Sequence, residues 1–536
     1  MAGGLIGVDV GTASARAGVF DMDGRLLASA RRPVTIWQEA GDVVEQSGDQ
    51  IWTAVAESLR EAVAASGLAP DEIAGIGFDA TCSLVAVTAD GAPVTVSPSG
   101  DPARNVMVWM DHRAAGEAEE INAGGHEVLR YVGGRISPEM ETPKLLWLKR
   151  NLPASFAAAD HFFDLSDFLT WRATGATARS LCTVTCKWTY LAHERRWDPA
   201  YFRAIGLGEL ADEGFERIGT EMLEPGAPLG RGLTPQAAAD LGLAPGTPVA
   251  AALIDAHAGG VGTLGAAIAG TGPELGARLA YVFGTSACSM ASTADPVFVP
   301  GVWGPYLSAM VPGLWLNEGG QSAAGAAIDH LVSLHPAATE AAALAAGQDL
   351  SLVEWLDREA TRMAGTPGCA VDLAGGLHVV PVFLGNRSPF ADPDARAVIA
   401  GLGLERDLAS LVGLYVAGLT GIGYGLRQLL DRFAAAGIVI ETIVASGGAA
   451  RSPLVCQLLA DSTALPVAVP ETPEPVLLGS ATLASVAAGR HPTLGAAMQA
   501  MSGRAALFEP TPRAADRHRQ RYRAFETLQA AAREIR

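Results

Sequence analysis

Two stretches of this 536-residue chain share one pattern, in which two apolar strands are joined by a tight turn that contains Gly-Thr. The first, residues 5–20, reads LIGVDVGTASARAGVF, and the second, residues 279–293, reads LAYVFGTSACSMAST. One copy lies in each half of the chain, and a recurring pattern of this kind indicates a repeated structural unit. The sequence therefore favours a fold in which the second half echoes the first.

The pattern of apolar residues around these hairpins predicts a mixed α/β organisation. Short strands joined by turns, with a helix that crosses between them, are typical of a mixed sheet. Further strands are predicted near 25–32, 73–79, 83–88, 105–109, 247–254, 303–310, 314–318 and 441–446. Helices are predicted near 48–66, 320–334, 405–434, 452–462, 475–488 and 513–533, and residues 111–240 are largely helical in pattern.

A small-residue segment, residues 264–280, separates the two halves. It has Gly-Thr-Gly-Pro at its centre, which is typical of a linker or hinge. We therefore predict an N-terminal domain over 1–263, a hinge over 264–280, a C-terminal domain over 281–505 and a helical tail over 506–536.

The composition argues against several classes of partner and site. The chain has 38 Lys and Arg residues against 57 Asp and Glu, a net charge of −19, and no basic block that could follow nucleic acid or an anionic membrane surface. No apolar run is expected to reach the roughly 18–20 residues of a membrane span. The six cysteines lack the paired spacing of a zinc site and are too few for a disulfide framework. These features predict a soluble cytoplasmic protein with free thiols.

Lysine is rare enough to exclude one kind of nucleotide site. The three lysines, Lys144, Lys149 and Lys187, are followed by Leu, Arg and Trp. None of them can complete a GxxxxGK[ST] phosphate loop. A nucleotide would have to be held in another way.

The turn of the first hairpin offers such a way. Gly11 lets the backbone approach an anion, and the amides of Gly11, Thr12 and Ala13 with the Thr12 hydroxyl form a concavity suited to phosphate. Asp9, at the end of the strand, would hold a magnesium ion directly or through water. An ordinary hairpin turn with a solvated acid is the alternative.

The second hairpin has a similar Gly-Thr turn at Gly284, Thr285 and Ser286. Two such turns that face each other could hold a triphosphate between the two halves. Gly-Thr-Ser is also common turn chemistry, so this motif gains weight only from its pairing with the first.

Three further positions suit a ligand site. Asp255 lies where a buried strand meets a helix, and can accept a proton from a hydroxyl or simply cap the helix. The turn at Gly447 and Gly448 can admit an adenine or its ribose, or serve only as a strand-to-helix turn. Gly325 can face a ligand at the start of a helix, or allow close helix packing.

Taken together, these motifs resemble the FGGY family of carbohydrate kinases over about residues 4–490. The resemblance implies two ribonuclease H-like α/β domains of the actin and hexokinase superfamily, with the active site in the cleft between them. It implies ATP and Mg²⁺ as cofactors, Asp255 as catalytic base, and Asp9 with Asp255 at the metal. The nucleotide residues that it implies are Gly11, Thr12, Ala13, Gly284, Thr285, Ser286, Gly325, Gly447, Gly448 and Arg451. A homodimer is a family expectation.

Within the family, segments 78–87, 185–188 and 315–322 resemble ketopentose kinases of the D-ribulokinase type. The resemblance implies substrate contacts from Thr81, Cys82, Lys187, Asp255 and Glu318. The stretch WMDHRA, residues 109–114, follows a predicted strand and can also line the sugar pocket, where Asp111 would contact the substrate, or Asp111 can instead cap a helix. The expected reaction converts D-ribulose to D-ribulose 5-phosphate. L-ribulose, D-xylulose and ribitol are alternative substrates, and a sugar-independent actin-like ATPase or an inactive relative is an alternative of another class.

Overall fold

The first half of the chain builds a five-stranded central sheet with the order β12-β6-β1-β2-β3. The computed structural model describes residues 3–39, 42–270, 272 and 274–536. The strands of this half are β1 (Gly4–Val10), β2 (Ser14–Phe20), β3 (Leu26–Pro33), β4 (Trp37–Glu39), β5 (Val43–Gln46), β6 (Ile73–Ala80), β7 (Leu84–Val87), β8 (Val106–Met107), β9 (His161–Asp164), β10 (Arg179–Ser180), β11 (Met222–Leu223) and β12 (Leu253–Ile254). A second sheet, β4-β5-β8-β7-β9, and the pair β10-β11 flank the central one.

The helices of this half lie around the two sheets. They are α1 (Gly48–Ser66), α2 (Ala115–Ala123), α3 (Glu141–Asn151), α4 (Pro153–Ala158), α5 (Leu165–Thr174), α6 (Leu181–Lys187), α7 (Pro199–Ala204), α8 (Gly208–Asp212), α9 (Pro235–Leu241) and α10 (Asp255–Leu264). Helix α1 matches its predicted range because its signals are local. Ser47 accepts a hydrogen bond from the Gln50 amide as N-cap, and Gly67 ends the helix in the left-handed conformation.

The second half builds a seven-stranded sheet with the order β15-β16-β14-β13-β19-β20-β21. Its strands, with the separate pair β17-β18, are β13 (Arg278–Phe283), β14 (Ala287–Thr293), β15 (Trp303–Leu307), β16 (Trp315–Gln321), β17 (His378–Val380), β18 (Val398–Ala400), β19 (Thr442–Ser446), β20 (Val467–Pro470) and β21 (Ala505–Phe508). The run β16-β14-β13-β19-β20 repeats the run β3-β2-β1-β6-β12, with three antiparallel strands followed by two parallel ones. The repeat confirms the predicted fold class, a duplicated α/β unit.

The second half also contributes eight helices in the described part of the chain. They are α11 (Gly325–Ser333), α12 (Ala338–Ala346), α13 (Leu352–Ala364), α14 (Leu408–Ala435), α15 (Pro453–Thr463), α16 (Pro475–Ala487), α17 (Leu494–Met501) and α18 (Ala515–Glu534). Short 3₁₀ turns in the chain lie at Pro70–Glu72, Glu127–Val132, Glu216–Ile218, Leu275–Ala277, Pro367–Ala374, Ala449–Arg451 and Pro512–Ala514. Helix α18 is amphipathic, because His518, Tyr522, Phe525 and Gln529 form its buried face.

The expectation about apolar runs is wrong at α14. Residues 408–426 carry no charged side chain, and α14 is long and apolar enough to cross a membrane by length and composition. In the structure 78% of its most apolar window is buried. The helix therefore serves as the central core helix of the second half, and its apolar surface is covered by protein.

Two predicted elements differ from the observed ones. The strand predicted over 247–254 is regular only at β12, and the residues before it contribute isolated bridges at Val249 and Ala250. The helix predicted over 320–334 begins later, because β16 continues to Gln321 and the turn that follows delays α11 to Gly325.

Helix α16 belongs to the second half in sequence and packs on the sheet of the first. Its Leu477 shares a cluster of buried residues with Leu5 and Phe20 of the first sheet. On its other side, a Cβ atom added at Gly479 would lie 1.9 Å from the Ala258 carbonyl oxygen of α10. Only glycine permits this approach, so the two halves are joined by backbone contact between α10 and α16.

The predicted hinge, 264–280, follows α10 and leads into β13. Residues 271 and 273 within it lie outside the described residues. Arg278 donates hydrogen bonds to the carbonyl oxygens of Leu264, Ala266 and Gly272, at 2.6 to 2.8 Å. These contacts tie the start of the second sheet to the end of α10. The division into domains at this segment stays a prediction.

Candidate active site

Carboxylates converge at the carboxyl ends of neighbouring parallel strands. Asp9 on β1 lies opposite Asp79 on β6, and Asp255 directly follows β12, whose Leu253 also lies opposite Asp79. The carboxyl edge of a parallel sheet is the usual place for a ligand. The structure thus brings Asp9 and Asp255 together, as expected of residues that share one metal ion, since carboxylate oxygens are suitable ligands for Mg²⁺.

Asp255 is partly buried, and its environment disfavours the charged carboxylate. Burial, followed by the negative charge of Asp9, raises the pKa of Asp255 to about 6. The backbone amide of Ala256 donates a hydrogen bond of 2.8 Å to Asp255 Oδ1. A carboxylate with a pKa of about 6 is well suited to accept a proton near neutral pH.

Asp79 was not among the predicted residues. It is fully buried, and the Ser480 hydroxyl of α16 donates a 2.5 Å hydrogen bond to its Oδ2. Burial and the charge of Asp9 raise the pKa of Asp79 well above its ordinary value. No local sequence signal marks this residue, because its partners come from β1 and from α16, far away in the chain.

Arg16 is a second residue that the sequence analysis missed. It lies opposite Asp9 across the first hairpin and makes an ion pair with it, while Arg16 Nη1 lies 3.0 Å from Glu474 Oε2. The antiparallel register would have revealed this pairing, since Asp9 and Arg16 flank the Gly11 turn. The guanidinium group borders two of the cavities described below.

The two hairpin turns face a common cavity. Gly11 and Thr12 line it from the first hairpin, and Gly284, Thr285 and Ser286 line it from the second. The Gly11 amide donates to Ser14 O at 3.0 Å, and the Gly284 amide donates to Ser286 O at 2.9 Å, so both turns have the same internal hydrogen bond. Ala13 is not among the residues that line the cavity, and its carbonyl accepts a hydrogen bond from the Val34 amide.

This cavity of about 310 Å³, which we call the cleft cavity, also collects most of the predicted substrate contacts. Thr81, Cys82, Lys187, Asp255 and Glu318 all line it. Trp109, from the stretch 109–114, lines it as well, and Glu139, Trp303 and Arg387 are among the lining residues that were not predicted. Trp109 Nε1 donates a 2.9 Å hydrogen bond to Thr12 Oγ1, which links this wall to the first hairpin turn.

Lys187 is a buried cation in the wall of the cleft cavity. Its ammonium nitrogen lies 5.5 Å from the centroid of the Trp303 ring. Burial opposes the positive charge, but the neighbouring Cys82 and Glu318 raise the pKa of Lys187 well above its ordinary value. Lys187 therefore stays charged and presents a point donor to a polar ligand.

Glu318 is held in its charged form by His257. The imidazole lies between two buried groups, with Nε2 at 3.3 Å from Glu318 Oε2 and Nδ1 at 3.1 Å from Cys182 Sγ. Burial opposes ionisation, but the contact with His257 and the charges of Lys187 and Arg387 lower the pKa of Glu318 to about 2. The cleft cavity thus contains a charged hydrogen-bond acceptor opposite charged donors.

A further charged cluster lies buried beneath this wall, and it contains Lys144. Lys144 Nζ lies 3.6 Å from Glu141 Oε1, and both side chains are fully buried. Burial raises the pKa of Glu141 to about 7 and that of the nearby Asp164 well above its ordinary value. None of these three residues lines the cleft cavity.

Asp111 does not line the cleft cavity, so its predicted place in the sugar pocket is wrong. Its buried carboxylate accepts hydrogen bonds from the Val44 amide at 2.7 Å and from Arg113 Nε at 2.9 Å. Arg113 also makes an ion pair with Glu45 at 2.7 Å. Asp111 therefore ties the loop after β8 to β5, and its oxygens are occupied by protein donors.

The predicted nucleotide residues line a row of cavities. The largest, about 910 Å³, is lined by Gly325, Gly448 and Arg451. Gly448 and Arg451 also line the next, of about 340 Å³, together with Gly447 and Arg16. Arg16 in turn lines the cleft cavity. Shared walls therefore connect the three cavities in sequence, from Gly325 to Asp255.

Gly447 is required where β19 turns into the next segment. Its φ angle is +92°, and an added Cβ atom would lie 2.4 Å from the Phe283 carbonyl oxygen. A side chain would thus meet both backbone strain and a clash. The turn brings β19 against the second hairpin and leaves Gly448 at the wall of the two larger cavities.

Sequence comparisons agree with this arrangement. The model of the N-terminal domain of the FGGY family of carbohydrate kinases matches residues 5–262, and that of the C-terminal domain matches residues 279–488. An FGGY carbohydrate kinase domain-containing protein from Homo sapiens is 46% identical over 93% of this chain and 91% of its own length. A D-ribulokinase from Saccharomyces cerevisiae is 39% identical over 90% of this chain and 71% of its own length.

The fold is also similar to that of solved sugar kinases. The crystal structure of xylulose kinase from Rhodospirillum rubrum superposes with a TM-score of 0.79 over 99% of each chain, at 23% sequence identity. At this identity the likeness concerns the fold. It confirms that both halves, and the cleft between them, have the architecture of a two-domain sugar kinase.

Proposed function

This chain belongs to the FGGY family of carbohydrate kinases, and on that premise we propose that it transfers the γ-phosphoryl group of ATP to the terminal hydroxyl of a ketopentose, with D-ribulose as the preferred substrate. The product would be D-ribulose 5-phosphate. The chain is a sugar kinase by family, and kinases of this family use ATP. The sugar, the metal ion and the roles of individual residues are our proposal.

One observation carries the proposal, namely the row of three cavities that ends beside Asp255. The cavity at Gly325 and Gly448 has the volume for an adenosine group, and the two hairpin turns offer amides and hydroxyls for the phosphates. The cleft cavity offers charged donors and acceptors for sugar hydroxyls. Asp255 lines the same cavity as the two hairpin turns and the proposed sugar contacts, where the reacting hydroxyl has to be.

In this assignment Asp255 acts as the general base. It accepts the proton of the sugar hydroxyl as the oxygen attacks the γ-phosphorus, and the bond from that phosphorus to the bridging oxygen of ADP breaks. Arg16 and the two hairpin turns stabilise the negative charge on the phosphoryl oxygens. Closure of the two halves about residues 264–280 excludes water, which would otherwise compete with the sugar as acceptor.

The carboxylates at the strand ends fit a magnesium ion. Asp9 and Asp255 offer oxygen ligands next to the phosphate turns, and Asp79 has one buried oxygen, Oδ1, without a hydrogen bond in the described ranges. Asp9 and Asp255 would hold Mg²⁺, directly or through water. The ion would supply positive charge at the phosphate oxygens.

Two observations favour a ketopentose over other sugars. The relative from Saccharomyces cerevisiae, identical to this chain at 39% of aligned positions, is named a D-ribulokinase. The cleft cavity also pairs the cations Lys187 and Arg387 with the anions Glu139 and Glu318, a set able to bind several adjacent oxygens of a small polyhydroxy ketone. L-ribulose, D-xylulose and ribitol remain the alternatives because they differ from D-ribulose only in stereochemistry or in oxidation state.

The test is ADP release by the purified protein with ATP and Mg²⁺ against a panel of D-ribulose, L-ribulose, D-xylulose, ribitol and glycerol. We expect kcat/KM to be highest for D-ribulose, and about 10-fold or more above the others, because a site built for specific hydroxyls loses buried hydrogen bonds with the wrong isomer. If another sugar stimulates ADP release most strongly, the proposed kinase mechanism stands and that sugar replaces D-ribulose as the proposed substrate. A rate that no sugar changes would favour an ATPase.

The loss of activity at acidic pH should reflect protonation of Asp255. The base must be deprotonated to accept a proton, so kcat/KM is expected to fall as the pH falls through a pKa at or below about 6. A bound magnesium ion would move this loss of activity to lower pH, because positive charge favours the carboxylate. The measurement is kcat/KM over about pH 5–8. If kcat/KM of the Asp255→Asn variant falls over the same acidic pH range as that of the wild type, the assignment of Asp255 is contradicted.

A further inference from the structure

Arg387 reaches the cleft cavity from the half of the protein opposite to Lys187. It lies in the segment between β17 and β18, and its side chain is 16% exposed. Lys187, at the end of α6 in the first half, lines the same cavity. Both cations lie near the indole ring of Trp303, with Arg387 Cζ at 5.1 Å and Lys187 Nζ at 5.5 Å from its centroid.

The guanidinium group of Arg387 has little protein to bind. Within the described ranges of the chain it donates no hydrogen bond, and the nearest carboxylate oxygen, Glu139 Oε1, lies 3.8 Å from Nη2. The same oxygen of Glu139 also lies 3.7 Å from His112 Nε2. Arg387 therefore keeps a planar set of donors that face the cavity and lack partners.

The side chain of Arg387 is 16% exposed, and its nitrogen atoms are not among the buried polar atoms that lack a hydrogen bond in the described part of the chain. Its donors are therefore open to the cleft cavity, where water or a ligand can accept hydrogen bonds from them. Stacking on Trp303 and the ion pair with Glu139 hold the guanidinium in place, but they leave its donors free. A planar set of donors that is held in place and faces a cavity is suited to two neighbouring oxygens of one ligand.

We propose that Arg387 is a sugar-binding residue that donates hydrogen bonds to two adjacent oxygens of the ketopentose in the cleft cavity. Glu139 and Trp303 act as positioning residues for the guanidinium group. Arg387 would thus add a second contact from the second half of the chain, in addition to Glu318 on β16, and would strengthen the coupling between sugar binding and closure of the cleft. This inference rests on the proposed function, since it takes a ketopentose as the ligand.

The test compares Arg387→Gln and Arg387→Lys with Arg396→Gln, a control in the same segment whose side chain does not line the cleft cavity. The dissociation constant for D-ribulose is measured by calorimetry without nucleotide, and the KM values for sugar and ATP are measured separately. We expect Arg387→Gln to weaken sugar binding about 10-fold or more and to leave the KM for ATP unchanged. Arg387→Lys keeps the charge and loses the planar donors, so it should recover little of the sugar affinity.

The outcomes separate this inference from the proposed function. If the wild-type protein binds and phosphorylates D-ribulose and Arg387→Gln binds it equally well, the assignment of Arg387 is overturned and the kinase proposal stands. If the variants lower the melting temperature and raise the KM values for sugar and ATP alike, Arg387 is a structural link to Glu139 and the assignment fails. If the wild-type protein binds no ketopentose, the proposed function and this inference both fail.

Discussion

Replacing Asp255 with asparagine is expected to lower kcat for sugar phosphorylation about 100-fold or more, because general-base catalysis contributes a factor of that order. The asparagine amide has the same shape and cannot accept the proton. Affinity for ATP should change little, since the cavity that we propose for the adenosine group is lined by residues of the second half. Steady-state kinetics and calorimetric ATP binding provide the measurement.

The stability of this variant provides a control on folding. The pKa of Asp255 is raised above its ordinary value, so the folded state disfavours the ionised carboxylate, and at neutral pH the charge of Asp255 opposes folding. Asp255→Asn removes that charge, and its melting temperature at neutral pH should equal or exceed that of the wild type. Asp71→Asn, at an exposed aspartate far from the site, should change neither kcat nor stability. Wild-type turnover in Asp255→Asn would overturn its role as base.

Replacing Gly479 with alanine is expected to destabilise the protein by about 3 kcal/mol, at the upper end of the range for overpacking. The added Cβ atom would lie 1.9 Å from the carbonyl oxygen of Ala258, which is backbone and cannot move aside as a side chain would. Helices α10 and α16 would have to separate, and Asp255 lies on α10. We therefore expect a lower melting temperature together with a loss of activity.

Gly495→Ala is the matched control for Gly479→Ala. Gly495 also lies in a helix, α17, but an added Cβ atom would have nothing within 4 Å. Alanine favours helix by up to about 1 kcal/mol over glycine, so this variant should be as stable as the wild type or slightly more stable. Equal stability of Gly479→Ala and the wild type would show that the two helices do not need their close contact.

Features with local causes could be predicted from the sequence. The two hairpins have their strands and turns within about 15 residues of chain, so alternation and glycine predict both. Asp9, Thr12 and Asp255 stand at strand ends that are visible in the sequence, and the structure brings them to one edge. Helix α1 has its own capping residues, and its predicted bounds agree with the observed ones.

Features that depend on distant partners could not be predicted in this way. Asp79 contacts residues of β1 and α16, which are distant in sequence. Arg387 likewise contacts Glu139 and Trp303, which are distant from it in sequence. Asp111 follows a short strand, and this position predicts a place in the pocket. In the structure its carboxylate instead accepts hydrogen bonds from the Val44 amide and from Arg113. The direction of a side chain after a short strand depends on packing that one sequence does not reveal.

The scarcity of lysine gives the folded chain a simple chemical signature. Of the three lysines, Lys144 is fully buried with Glu141, and Lys187 lies in the wall of the cleft cavity with 7% of its surface exposed. Lys149, at the surface, is 35% exposed. An amine-selective acylating reagent can therefore reach one lysine side chain readily in the native protein and all three in the unfolded chain. Counting acylated lysines by mass spectrometry would report unfolding.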